Sequence, residues 1–436
     1  MKQQDNLFWI WLSETLGVAN KDFTRLIQLY RTPYEIFNAE ESELERVPEI
    51  SEKTLTRLMD KSLQHASEIL ENCEKQGIGI LTYYDEAFPP QLREIQRPPV
   101  LLYYKGNMMD LGKSLTVGMV GTRRMSAYGL QNAYRIAYEL SLAGAVVVSG
   151  MATGIDGVCA AAALKAKCTT VAVLGCGLDL TYPRHHRPLM AEIAKQGILL
   201  SEYPPGTPPS SYHFPMRNRI ISGISRTTVV VEAGLGSGSL ITAKDAVSQG
   251  RMVFAVPANV GAPGAEGTNG LLRDGARAAT GAKDILQPFL YEFDEVLRPE
   301  RLLKLSEDDS TADLEYLDRL GIIELVNRQE TQEVKQHPEA SESKTDRRKQ
   351  PKKPRRTPQE DARKESSPKV SSHESELEKL TPIQLAVLRA VPDDRAFSTD
   401  ALRGLDYPYG EMIAALTMLE LMGLVQKLSG GLYTKF

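Results

Sequence analysis

Short apolar runs alternate with longer amphipathic stretches through the middle of the chain. Six runs are rich in Val, Ile, Leu and Ala, and turn-forming residues follow them: LTVGMVG, AVVVSG, TTVAVLG, ILLSEY, TTVVVEA and MVFAVPA. Helical stretches lie between most of them, such as SAYGLQNAYRIAYELSLAG and IDGVCAAAALKAK. Near-continuous apolar strands separated by helices predict a parallel sheet that is covered on both faces. Residues 81–300 are therefore expected to form an extended Rossmann-like, doubly wound, mostly parallel α/β domain.

The pattern changes on both sides of this domain. Residues 1–80 contain short helical stretches around a turn at 47–50, which predicts a small all-α domain of the SAM or helix-hairpin-helix kind. Residues 81–110 are extended and punctuated by prolines, and lead into the sheet. Residues 379–436 show three helical stretches and a β-wing, a winged-helix-like pattern. The third of these helices carries only Glu411 and Glu420 as charged residues, so we expect protein contacts there rather than major-groove reading.

Residues 301–378 are expected to form an acidic tail followed by a disordered basic linker, because residues 328–378 are too poor in apolar residues to bury a core. From residue 328 onwards the chain is dominated by Ser, Pro, Glu, Lys and Arg. Within the linker, KTDRRKQPKKPRR carries eight basic residues and one acidic residue. This segment is either a solubilising tether or an electrostatic arm for polyanions, and the sequence favours neither.

The charge distribution changes this picture more than the net charge of −4 does. Residues 111–290 carry 17 basic and 10 acidic side chains, whereas residues 1–80 carry 9 and 14. A basic centre between acidic flanks favours a large anion such as nucleic acid as the partner, although chance asymmetry would give the same numbers. Four cysteines without a CxxC pair favour a reducing compartment, and no apolar run is long enough to span a membrane. We expect a soluble, cytoplasmic protein.

The candidate chemistry lies directly after the predicted strands, because open parallel sheets bind ligands at the carboxyl ends of their strands. Gly and Ser at a helix N-terminus expose backbone N–H groups to phosphate, Arg forks match phosphate oxygens, and an aromatic ring can stack on an unpaired base. Each feature alone is ordinary turn, capping or core chemistry, and only its repetition at several strand ends indicates a phosphate site. These residues are Gly121, Thr122, Arg123 and Arg124 after the first run, Phe214, Arg217, Asn218 and Arg219 after a proline-rich loop, and Ser237, Gly238, Ser239 and Lys244 after the fifth run.

Several enzyme classes lack support in the sequence. No P-loop, complete dinucleotide fingerprint or nucleophile elbow occurs at the strand ends. The adjacent residues His185 and His186 lack the spacing of metal ligands and are read as loop or capping residues. Four acidic residues near the strand ends are dispersed through different motifs: Asp156, Asp179, Glu202 and Glu232. They could form a nuclease metal site, but structural hydrogen bonds to loops are the favoured role, so neither a metal nor a cofactor is expected.

The ordered set of motifs resembles the DNA-processing protein A family, DprA, also called Smf. The resemblance is dense over residues 80–290 and rests on GTRR, SGMATGIDGVCAAAAL, LLSEYPPGTPP, FPMRNRIISGIS and VVVEAGLGSGSLITAKDA. It implies an extended Rossmann fold, no established enzyme activity, single-stranded DNA binding, a homodimer and loading of a RecA-type recombinase in natural transformation. It also places the DNA pocket on Gly121–Arg123, Phe214–Arg219, Ser237–Ser239 and Lys244, although Lys244 stands where the family usually has an arginine.

Two other functions stay open at this point. The first is a nucleotide phosphoribohydrolase similar to lysine-decarboxylase-like Rossmann enzymes, which carry P-G-G-x-G-T-x-x-E at a comparable position. This chain has EAGLGSGSL there, without the leading proline and the trailing glutamate that would act as the base. The second is a scaffold in which the flanking modules bind proteins and the central pocket has no ligand.

Overall fold

The structure, a computed structural model, describes residues 2–262, 264–306, 308–324 and 381–390, with short stretches and single positions between 397 and 435. Residues 2–324 belong to one compact unit, and the described residues from 381 onwards belong to a second. The predicted linker at 328–378 lies outside the described residues. No helix in the described part of the chain is long and apolar enough to cross a bilayer.

The N-terminal region is a set of helices. Two of them begin at a conventional capping residue, because the hydroxyls of Thr32 and Ser51 each accept a hydrogen bond from the backbone N–H three residues later. The turn at 47–50 lies between the fourth and fifth helices and is lined by buried Leu44, Val47 and Leu58. The helices are α1 (Lys2–Leu16), α2 (Phe23–Tyr30), α3 (Pro33–Asn38), α4 (Glu41–Leu44), α5 (Glu52–Leu58) and α6 (Gln64–Gln76).

A nine-stranded sheet forms the centre of the first unit, in the order β1-β2-β6-β5-β4-β3-β7-β8-β9. Strands β3 to β9 pair with one another in parallel register, while β1 pairs with β2 and β2 with β6 in antiparallel register. The prediction of a mostly parallel sheet is thus confirmed. The strands are β1 (Gly79–Thr82), β2 (Leu101–Gly106), β3 (Thr116–Val120), β4 (Val146–Ser149), β5 (Thr170–Leu174), β6 (Ile198–Ser201), β7 (Thr227–Val230), β8 (Met252–Ala255) and β9 (Arg277–Ala278).

Both faces of the sheet are buried, which explains the near-continuous apolar strands. Along β4, Val147 packs into the cluster that includes α8 (Ala127–Leu142) and α9 (Ile155–Lys165). Val146 and Val148 pack into the opposite cluster with α11 (His213–Ile224) and α12 (Gly238–Ser248). The same alternation recurs in β5, where Ala172 and Leu174 face the first cluster. Successive side chains of a strand point to opposite faces, so a strand buried on both sides has no polar side.

Helices connect the strands on both faces. The helices are α7 (Pro90–Arg93), α8 (Ala127–Leu142), α9 (Ile155–Lys165), α10 (Arg187–Gln196), α11 (His213–Ile224), α12 (Gly238–Ser248), α13 (Glu266–Arg273), α14 (Ala282–Leu286) and α15 (Leu314–Arg319). The sequence analysis did not predict α11. Pro215 falls in its first turn, where the missing N–H costs no intrahelical bond, so the proline-rich approach runs directly into a helix.

The second unit has its own small core. Its described elements are helix α16 (Pro382–Ala390) and the antiparallel strands β10 (Phe397–Ser398), β11 (Val425–Lys427) and β12 (Leu432–Lys435), in the sheet order β10-β12-β11. Val387, Leu416 and Val425 are among the residues buried together there. Most of the predicted third helix lies outside the described residues.

Candidate nucleic-acid site

A cavity of about 680 Å³ opens at the carboxyl end of the sheet, at the point where the strand order reverses. From β3 the chain proceeds to β4, β5 and β6 on one side and returns to β7 and β8 on the other. The loops after β3 and β7 therefore separate and leave a crevice between them. Gly121–Arg123 line one wall, Gly236–Ser239 line the facing wall, and Phe214 lies on the first turn of α11.

One wall of the cavity combines an aromatic pair with an exposed cation. The rings of Tyr182 and Phe214 stack with centroids 5.2 Å apart and planes 25° apart. The guanidinium carbon of Arg123 lies 5.4 Å from the centre of the Phe214 ring, and the Arg123 side chain is exposed. A guanidinium held against an aromatic face keeps its N–H groups free for a second partner. This wall therefore presents stacking surface and positive charge side by side.

The N-terminus of α12 forms the facing wall. Ser237 is the capping residue, and its hydroxyl lies 2.7 Å from that of Ser239. A Cβ built at Gly234, Gly236 or Gly238 meets no heavy atom within 4 Å, so the loop backbone is open to the cavity. The open glycine backbone and the positive end of an 11-residue helix together favour an anion at this wall.

Arg217 lines the base of the cavity but is only 4% exposed. Its guanidinium donates to the carbonyl oxygen of Gly150 at 2.7 Å and to that of Val173, and it lies in the field of Asp156. Burial lowers the pKa of Arg217 from its usual value, and Asp156 opposes that change. Arg217 therefore ties the ends of β4 and β5 together and adds positive potential to the cavity from below.

Three predicted residues do not line this cavity. Arg219 is 5% exposed and donates from Nη2 to Glu202 at 2.6 Å. Burial raises the pKa of Glu202, and the charge of Arg219 counteracts this. Lys244 and Arg124 are exposed but lie outside the lining residues. The remaining predicted residues are brought together here: Gly121, Thr122, Arg123, Phe214, Arg217, Asn218, Ser237, Gly238 and Ser239.

Comparison with known proteins identifies the family. The family DNA recombination-mediator protein A matches residues 79–290, the part of the chain that builds the sheet and the cavity. DNA processing protein DprA of Bacillus subtilis is 45% identical over 219 residues, which cover 50% of this chain and 74% of that protein. The chain belongs to the DNA recombination-mediator protein A family.

Two further relatives support the same family. Protein Smf of Escherichia coli is 44% identical over 203 residues, which cover 46% of this chain and 54% of that protein. The crystal structure of DNA processing protein A from Streptococcus pneumoniae superposes with a TM-score of 0.57 at 33% identity and covers 64% of this chain and 97% of that one. This member of the DNA recombination-mediator protein A family therefore shares its sheet domain with a protein of known structure.

The four acidic residues near the strand ends are all engaged within the protein. Asp156 accepts from the Gly150 N–H at 3.1 Å, and Asp179 accepts from the Gly206 N–H at 2.9 Å. Glu232 accepts from both the N–H and the hydroxyl of Ser126, and Glu202 pairs with Arg219. Hydrogen bonding to loop backbone is thus observed for Asp156, Asp179 and Glu232, whereas Glu202 pairs with a side chain of α11. Among the described residues, no group of three or more His, Cys, Asp or Glu is arranged to hold a metal ion.

The two histidines take different roles. His186 is fully buried, and its Nδ1–H donates to the Met151 carbonyl oxygen at 3.0 Å. Burial lowers the pKa of His186 to about 4, so the ring is neutral at physiological pH. His185 is exposed, and its Nε2 lies 3.4 Å from the Thr153 hydroxyl. Both hold the loop that follows β4, as expected for loop residues.

The sequence analysis missed several residues of the cavity in this family member. Tyr182 is the most consequential, because it supplies half of the aromatic pair. Its position shortly after the third apolar run was a usable signal, since that run becomes β5, which pairs with β4 near the centre of the sheet. The other missed lining residues come from the same loops and helices: Ala152, Pro209, Ser210, Ser211, Gly234, Gly236, Ile241 and Thr242.

Proposed function

We propose that this chain binds single-stranded DNA in the cavity between the ends of β3 and β7. The observation that carries the proposal is that one crevice holds a stacking pair, an exposed arginine and an open helix N-terminus. Base stacking on aromatic rings is independent of sequence, and backbone N–H groups with Arg bind phosphate. In a duplex the bases are already stacked on each other, so an aromatic pair of this kind favours the single strand.

The chain belongs to a DNA-processing family, and the cellular role we propose follows from that membership. The protein would protect incoming single strands and load a RecA-type recombinase during natural transformation and homologous recombination. Exposed apolar residues on α12 and in the loop before it, Val247 and Leu235, favour a second copy of the chain as partner, as a homodimer. The cytoplasmic location expected from cysteine usage stays a prediction.

The flanking modules take accessory roles in this proposal. The helices α1–α6 form a SAM or helix-hairpin-helix-like domain over residues 1–80, and residues 379–436 form a winged-helix-like domain. Helix α16 and the three-stranded sheet β10-β12-β11 support the second assignment. The extended Rossmann-like domain spans residues 81–300, and the acidic tail and basic linker span 301–378.

A non-catalytic role is the proposal, rather than nucleotide hydrolysis. Asp156 is the only carboxylate residue among the residues that line the cavity in the described structure, and it is 7% exposed and bonded to the Gly150 N–H. A general base must reach the water or hydroxyl that it deprotonates. Because Asp156 is committed to the backbone beside Arg217, it lacks that reach.

The test is a fluorescence-anisotropy titration of a labelled oligo-dT strand and its duplex at several salt concentrations. Arg123→Ala should weaken single-strand binding about tenfold or more, since hydrogen bonds to charged groups contribute about 1.5–3 kcal/mol. It should also reduce the slope of log affinity against log salt by about 0.7, the value for one lost phosphate contact on a single strand. Arg46→Ala, which removes the same charge from an exposed position in the N-terminal helices, should do neither.

Two outcomes would overturn the proposal. Equal affinity for duplex and single strand would shift attention to the basic linker. Absence of binding at low salt, with release of free base from nucleoside monophosphates, would restore the hydrolase alternative.

A further inference from the structure

After α14 the chain packs against helices α8 and α9 of the sheet domain. We call residues 312–323 the C-terminal strap. It lies beyond the segment that matches the family, residues 79–290. Leu317, Leu320 and Ile322 are at most 5% exposed and belong to the same core cluster as the strands. The strap is therefore part of the fold of this unit.

Polar contacts fix the start of the strap. The Ala312 N–H donates to Oε1 of Gln131 on α8 at 3.1 Å. The Asp313 carboxylate lies 2.7 Å from Nζ of Lys165 on α9, and it also caps α15 by accepting from the Tyr316 N–H. The Lys165 ammonium lies 5.0 Å from the centre of the Tyr316 ring. These contacts fix the register with which the apolar residues of the strap meet the core.

The end of the strap packs directly on the turn at 184–186. Gly321 has φ of 76°, and a Cβ at this position would overlap the backbone carbonyl oxygen of His185. The two backbones are thus in contact with no side chain between them. Glycine is required here for two reasons: the left-handed conformation and the close approach.

From this turn the contacts continue to the candidate site. His185 Nε2 lies 3.4 Å from the Thr153 hydroxyl. Thr153 lines a small cavity of about 40 Å³ behind the aromatic pair, together with Arg123, Tyr182 and Phe214. Tyr182 lies two residues before this turn, in the segment that leads into it.

We propose that the C-terminal strap is a positioning element for the DNA site: Gly321 supports the 184–186 turn, which in turn fixes Tyr182 and Thr153 at the aromatic wall. This inference rests on the proposed function of that wall. A strap that only stabilised the core would not need to end against this turn. Gly321 does not contact the DNA itself, and it acts through His185 and Tyr182.

The test compares Gly321→Ala with Gly77→Ala in the full chain. Both substitutions place one Cβ on a glycine of similar positive φ, 76° and 62°, but a Cβ at Gly77 meets no heavy atom within 4 Å. Backbone strain is thereby matched, and only the contact with His185 differs. Thermal unfolding of both variants shows that each is folded before binding is measured.

The first readout needs no DNA. Hydrogen–deuterium exchange of peptides covering 150–156 and 182–186 should accelerate in Gly321→Ala and not in Gly77→Ala. The second readout is the affinity for oligo-dT, which should fall several-fold in Gly321→Ala. In a Tyr182→Ala background the same substitution should have no further effect, because residues that act through one contact are not additive.

The outcomes separate the two proposals. If the wild-type chain does not bind oligo-dT, the proposed function fails, and the exchange readout still decides whether the strap holds the turn. If the wild type binds and Gly321→Ala matches Gly77→Ala in exchange and affinity, the strap inference is wrong. Additive losses in the Tyr182→Ala background would also overturn it, because they would show that the strap acts elsewhere.

Discussion

At the scale of single residues, three arginines that are alike in the sequence have three different environments. Arg123 is exposed beside Phe214, Arg217 is buried on backbone carbonyls, and Arg219 is buried against Glu202. The cost of removing a charged residue depends on what remains behind, not on the charge removed. Only Arg123 can lose its side chain without leaving a buried group unpaired, which makes it the informative probe of binding.

Arg219→Met should destabilise the fold and leave binding by the folded protein intact. Removing one partner of a buried ion pair leaves the other charge uncompensated, at a cost of about 3–5 kcal/mol. Chemical denaturation measures this cost, and the double variant Arg219→Met/Glu202→Leu should regain most of it. Unchanged stability with loss of oligonucleotide binding would instead place Arg219 at the DNA.

His186 should make the fold sensitive to mild acid. Its pKa is about 4 in the native state, below the usual 6.5, so the unfolded chain takes up the proton first as the pH falls. Stability is unaffected above pH 6.5 and decreases between pH 6.5 and 4, by about 3 kcal/mol in total. His186→Asn keeps a donor for the Met151 carbonyl but cannot titrate, so thermal unfolding should show a shallower pH dependence than the wild type.

At the scale of elements, the N-terminus of α12 tests the phosphate-binding proposal. Gly238 is the first residue of the helix, and a Cβ there meets open space. A carboxylate at this end interacts favourably with the helix dipole, so it can repel DNA without unfolding the helix. Stability and binding are therefore expected to respond in opposite directions to a negative charge at this position.

Gly238→Asp should lower the affinity for oligo-dT about tenfold, because the carboxylate occupies the anion site at the helix N-terminus and repels the DNA phosphate. Gly238→Asn, which has the same shape without the charge, is the matched control and should retain most of the affinity. The unfolding midpoint of Gly238→Asp should stay at or above that of the wild type. Equal losses in both variants would indicate steric exclusion rather than charge.

The helices and strands also differ in how well the sequence predicted them. All six apolar runs are strands in the structure. They were predictable because a strand that is buried on both faces is apolar at almost every position. Helix α11 was not predicted, because Pro215 and the prolines before it are typical of a loop. The sequence does not show that Pro215 falls in the first turn of a helix. The extended segment at 81–110 contains the end of β1 and all of β2, but the antiparallel pairing of β2 with β6 depends on contacts with residues about a hundred positions away.

At the scale of the whole molecule, the core on one face of the sheet continues into the N-terminal helices. One hydrophobic cluster includes Trp9 and Ile10 of α1, strand residues such as Val147, and Leu317 of the strap. Burial of this kind couples the N-terminal helices to the sheet domain in unfolding, because losing one layer exposes the other. We therefore expect the first unit, including the cavity, to unfold in one cooperative transition.

The fragment 1–338 should fold without the rest of the chain and keep its preference for single strands. It comprises one compact unit, and all residues that line the cavity belong to it. A single thermal transition and an oligo-dT affinity within a few-fold of the full chain are expected. A large loss of single-strand affinity in the fragment would show that residues beyond 338 contribute to binding, with the basic segment 344–356 as the first candidate to neutralise.

The sequence by itself determined the sheet and the order of the phosphate-type motifs, because both depend on local composition and spacing, and the resemblance of those motifs indicated the family. It identified Gly121–Arg123, Phe214 and Ser237–Ser239 correctly as neighbours, since the ends of parallel strands meet at one edge. The tertiary structure alone decided which side chains face that edge. Arg219 turns to Glu202, Tyr182 stacks on Phe214 and Gly321 reaches His185. The physical reason is that burial and partner choice depend on residues distant in the chain, and the spacing of motifs does not encode those distances.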